Sequence, residues 1–68
     1  MRIAQKELKG YKPVAQYTRL VNGVTAIVEV YREPYYCVNI SRVVNVEVIK
    51  HCYPISILQY YRYLHEAK

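Results

Sequence analysis

The sequence predicts an α+β fold in one domain, residues 1–68. An antiparallel four-stranded β-meander, five-stranded if the opening residues pair with an edge, carries one C-terminal α-helix packed on one face. Three observations lead there. Ten Val, nine Tyr and six Ile make 25 of the 68 residues, the side chains that suit a pleated, half-buried surface. Asn22-Gly23 stands between two alternating runs, a hairpin signal. Past Pro54 the apolar period changes from that of a strand to that of a helix.

The first nine residues allow either a short helix or a fifth strand. Ala4-Gln5-Lys6-Glu7-Leu8-Lys9 favours the helix, with Gly10 as its cap. Strand one, Val14 to Val21, and strand two, Val24 to Tyr31, flank Asn22-Gly23. Asn-Gly supplies the two positive φ angles of a type I′ turn, and a two-residue turn fixes the register. Val21 then pairs with Val24, Arg19 with Ala26, Tyr17 with Val28 and Ala15 with Val30. The opposite face receives Val14, Gln16, Thr18, Leu20, Thr25, Ile27, Glu29 and Tyr31.

Pro34 ends the second strand, because proline has no N–H to give a ladder. Tyr35 to Ser41 reads as strand three and Val43 to Lys50 as strand four. Alternation puts Tyr36, Val38, Ile40, Val44, Val46 and Val48 on the core face with Val24, Ala26, Val28 and Val30. Ser56-Ile57-Leu58-Gln59 fits a capping box, so a helix runs from there to about Ala67. Ile57, Leu58, Tyr61, Leu64 and His65 form the stripe expected to face the sheet. Gln59, Arg62, Tyr63 and Glu66 are expected to face out.

One short helix covers one face of such a sheet and leaves the other to something else. The opening segment, a second copy of the chain, or a foreign protein are the three candidates. A protein-binding surface is therefore expected around Ile27, Tyr31 and Tyr35, with Tyr60 and Tyr63 on the helix. Ten Lys and Arg against five acids give a formal charge of +5, which favours polyanions. Lys9, Lys12, Arg32 and Lys50, expected at one end of the sheet among Tyr11, Tyr31, Tyr35 and Tyr53, form the alternative nucleic-acid surface.

Other chemistries find little footing. Cys37, His51, Cys52 and His65 lack the paired spacing of a structural zinc site. Cys52 beside His51 is a weak nucleophile pair, since neighbours on a strand point opposite ways. The order of meander, histidine and helix over roughly residues 35–60 is similar to small bacterial ribonuclease toxins, through no specific motif. That likeness would imply catalysis by His51 or His65 with Arg32, Glu33 and Tyr53. No cofactor or metal is expected, and two cysteines without a signal-peptide pattern are expected as thiols in the cytoplasm.

The expectation is a non-enzymatic binding module, an accessory or inhibitor protein of a virus or mobile element. Its partner would be a protein, including a nucleoprotein machine, or a second copy in a homodimer. Nucleic acid is the alternative partner, and no membrane is involved.

Overall fold

The computed structural model describes residues 8–68. Four strands, β1 (Ala15–Val21), β2 (Val24–Tyr31), β3 (Cys37–Val44) and β4 (Glu47–Pro54), form one antiparallel sheet in the order β1-β2-β3-β4. The helix α1 (Ile57–Glu66) follows. This is the expected α+β meander. The opening helix falls largely on residues outside the described ones. At Leu8 the chain makes a tight turn, with the Tyr11 N–H donating to the Leu8 carbonyl at 3.0 Å.

The first hairpin has the expected register: Val21 opposite Val24, Arg19 opposite Ala26, Tyr17 opposite Val28, Ala15 opposite Val30. Asn22 and Gly23 both take positive φ, 52° and 79°, the backbone a type I′ turn requires.

The second hairpin departs from the expected boundaries. Its turn is Asn45-Val46, with φ of 51° and 61°, so β3 extends to Val44 and β4 begins at Glu47. A two-residue turn puts residues 44 and 47 on the same face, which reverses the phase of the alternation beyond it. Val44 keeps its place, but Val46 stands in the turn at 97% exposure and Val48 points to the face away from the helix. Ile49, His51 and Tyr53 occupy the helix side of β4 instead, opposite Arg42, Ile40 and Val38.

Ser56 and Gln59 form the expected capping box. The Gln59 N–H donates to Ser56 Oγ at 3.2 Å, and the Ser56 N–H donates to Gln59 Oε1 at 3.0 Å. The helix is rotated from the expected stripe. Tyr60 is buried, with Tyr63 and Leu64 packed beside it on Val28, Val30 and Val38. Ile57, Leu58, Tyr61 and His65 are exposed. Tyr60 wins the inward position because Tyr36, from the β2–β3 loop, meets its ring at a centroid distance of 4.7 Å. The rotation also turns Glu66 toward β1, where its carboxylate accepts from the Tyr17 hydroxyl at 2.8 Å and from Arg19 at 3.2 Å.

The far face of the sheet is half covered by the chain itself. Leu8 is buried with Tyr31, Cys37 and Cys52 at the loop end, where the β2–β3 loop and Pro54 lie. Both cysteines carry thiols. Beside them Asn39, itself buried, donates to Glu29 Oε1 at 3.0 Å. Beyond this pair, toward the two turns, the face is uncovered.

Candidate functional site

Cross-strand register assembles the uncovered part of the far face. Thr18, Ile27, Ser41 and Lys50 make one row across the four strands. Leu20, Thr25, Val43 and Val48 lie one step nearer the turns. Leu20 is 73% exposed, Ile27 41%, Val43 58% and Val48 61%. Val24, Thr25, Ile27, Ser41, Val43 and Val48 line an open depression of about 480 Å³, and Arg42 completes its wall. Apart from Arg42 these side chains are apolar or neutral hydroxyls, with Lys50 on the rim.

The helix side has its own uncovered portion. Arg19 and Arg42 both pair with Ala26, one from each flank, so a single row runs Arg19, Ala26, Arg42, Ile49. His51 and Tyr53 stand on the neighbouring rows of β4. A cavity of about 180 Å³ lies among Arg19, Val21, Ala26, Ile40, Arg42, His51 and Tyr53. Arg19 reaches Glu66 and sits 5.7 Å from the centre of the Tyr63 ring. The Nε atoms of Arg19 and Arg42 are buried without a hydrogen-bond partner.

Three phenols feel these surroundings. Tyr17 is pushed well above the ordinary tyrosine range, by burial first and then by the Glu66 carboxylate that accepts its hydrogen bond. Burial likewise raises Tyr53, aided by the neighbouring Tyr63, and raises Tyr31, aided by Glu29.

The expected site residues scatter over this frame. Ile27 lies in the apolar depression, as expected for the far face. Tyr31 is sealed under Leu8, and Tyr35 is partly exposed in the β2–β3 loop rather than on a strand. Tyr60 is a core residue at 6% exposure, and Tyr63 is half-buried between the core and Arg19. Neither is an outward anchor, because the helix presents that side to the sheet. Lys9, Lys12 and Arg32 are exposed near the loop end. Lys50 is not with them. The shifted turn moves it to the middle of β4, opposite Ser41 and four residues short of Pro54, roughly 13 Å along the strand.

The residue pairs considered for catalysis or zinc are also separated. Cys37 and Cys52 are buried on the far face, His51 lines the helix-side cavity, and His65 lies on the outer helix surface. Arg32 and Glu33 belong to the β2–β3 loop, away from His51 in mid-strand. Arg19, Arg42, Leu20, Val43 and Val48 were not among the expected site residues. The first hairpin register, which sets Arg19 against Ala26 on the helix side, was the available signal for Arg19.

No family model matches the chain, and neither does any curated protein or solved structure. No helix among the described residues is long and apolar enough to cross a membrane.

Proposed function

We propose that this chain is a non-enzymatic binding module that docks a protein on the turn end of the sheet face opposite the helix. One observation carries the reading: Leu20, Ile27, Val43 and Val48, one from each strand, are exposed on one sheet face, with only Arg42 and Lys50 bringing charge to its border. Single exposed apolar residues are ordinary, but four on one stretch of a sheet face offer on the order of 400 Å², the size at which a surface patch on a monomer is commonly functional. The strands hold these side chains in fixed positions, so little ordering is required on binding.

The formal charge of +5 selects the partner's chemistry. Like charge steers a second copy away, while an apolar surface rimmed by Asp and Glu is drawn in. The partner is therefore a different protein with an acid-rimmed apolar surface.

The test uses Ile27→Thr with Val43→Thr, which keeps charge and β-propensity while removing apolar area. Wild type and variant are compared by light scattering and by cross-linking in lysate followed by mass spectrometry. A monomeric wild type that captures an acidic protein, lost in the variant at unchanged Tm, is the expected result. Equal capture by both proteins overturns the reading. So does a dimeric wild type beside a monomeric variant, which would make the patch a seam between copies.

A further inference from the structure

We infer that the Arg19–Ala26–Arg42 row on the helix side is a binding site for a phosphate group. The argument begins with register. Arg19 and Arg42 are both cross-strand partners of Ala26, so their Cα atoms stand two strand spacings apart, roughly 10 Å. Ala26 contributes only a methyl between them. A larger residue there would fill the space; instead the cavity of about 180 Å³ opens among Arg19, Ala26, Arg42, His51 and Tyr53. That is several times the roughly 30 Å³ of one liquid water, enough for a phosphate group.

Both arginines are half-buried. Ala26 is fully buried and both arginine Nε atoms are shut away from solvent. Arg19 and Arg42 both line the cavity; Arg19 commits Nη1 to Glu66, and among the described residues no carboxylate engages Arg42. Stems fixed in this way lose little rotamer freedom on binding, and the planar fork of a guanidinium matches phosphate oxygens two at a time.

Charge bookkeeping points the same way. Arg19 has Glu66 at 3.2 Å, whereas no carboxylate among the described residues bonds Arg42. Two guanidiniums therefore stand here against one bonded carboxylate, an excess of positive charge. An anionic group with several acceptor oxygens balances that excess. Arg62 extends the basic line past Arg19, where the two border a second depression with Gln59, Tyr63 and Glu66.

A phosphate group reaches such a site either on a small phosphate ester or along a nucleic-acid strand. Two titrations separate these sources: inorganic pyrophosphate followed by amide and arginine side-chain NMR, and a ten-residue oligothymidylate followed by fluorescence anisotropy at several salt concentrations. Saturable shifts at Ala26, Arg42 and His51 are expected with pyrophosphate. Oligonucleotide binding more than tenfold tighter identifies a strand as the source; equal or weaker binding identifies a small ester.

Arg42→Gln is expected to weaken the preferred ligand roughly tenfold or more. For a single strand it also lowers the slope of log K against log salt by about 0.7. Arg42→Lys keeps the charge but loses the fork, and serves as the folded control. The inference is overturned if neither ligand saturates, or if Arg42→Lys and Arg42→Gln bind as wild type at unchanged Tm. It is also overturned if binding follows Lys9, Lys12 and Arg32 instead.

Discussion

At the scale of single residues, the two adjacent tyrosines at the start of the helix show how little separates a core position from a surface one. Tyr60 is 6% exposed and stacked near Tyr36, while Tyr61 meets the Tyr60 ring edge-on at 5.2 Å and stays largely in solvent. Truncating a buried aromatic removes both its transfer energy and its packing, so Tyr60→Ala is expected to cost about 3 kcal/mol or more. Tyr61→Ala is expected to cost about 0.5 kcal/mol. Urea denaturation of the two variants measures this directly, and the reverse order would mean that the helix lies on the Ile57–Tyr61–Leu64 stripe. The sequence contains both stripes, and hydrophobicity alone favours the wrong one. What decides is the partner: a phenol ring finds Tyr36 below it, and a contact 24 positions away cannot be read from helical periodicity.

At the scale of elements, the two hairpins were unequally legible for a stated physical reason. Asn22-Gly23 supplies both left-handed residues cheaply, so its register and every pairing of the first hairpin could be read from sequence. Asn45-Val46 places a β-branched residue at φ 61°, a conformation such side chains resist. Asn45 alone is a weak turn signal without a following glycine, and the run Val44, Val46, Val48 invites a strand through it. The error then propagated: Val48 and Lys50 changed neighbours, and Arg42 could not be set beside Ala26. Val46 buries almost nothing, so Val46→Gly removes the strain without losing a contact. It is expected to stabilise the protein by about 1 kcal/mol, read as a raised urea midpoint at constant m-value. An unchanged or lowered midpoint would place the turn elsewhere. The helix start was fully legible, because its capping box is local. Ser56→Ala is expected to cost about 1 kcal/mol in the same assay, and no loss would mean that Ser56 and Gln59 do not cap the helix.

At the scale of the whole molecule, the helix and Leu8 together cover the loop end of the sheet, one from each side, and leave the turn end bare on both faces. The expectation of one covered and one open face was therefore half met. The opening segment contributes more than periodicity could show, since a single buried leucine gives no pattern. This arrangement also ties stability to alkaline pH. Tyr17 on β1, Tyr31 on β2 and Tyr53 on β4 all have their phenols raised above the ordinary value of 10.0, each by burial first. A group whose folded pKa exceeds its unfolded one is held protonated by the fold. Below pH 10 it is neutral in both states and its stabilisation is intact. Above pH 10 the unfolded chain releases the proton first, so stability falls as pH rises toward the folded values. The urea midpoint should thus be level between pH 8 and 9 and decline above about 10. Tyr17→Phe lacks the hydroxyl that bonds Glu66, so it should start lower at pH 8 and decline less steeply beyond pH 10. Parallel curves for wild type and Tyr17→Phe would mean that the β1–helix contact holds no proton, and that α1 does not reach across the sheet to β1 through Glu66.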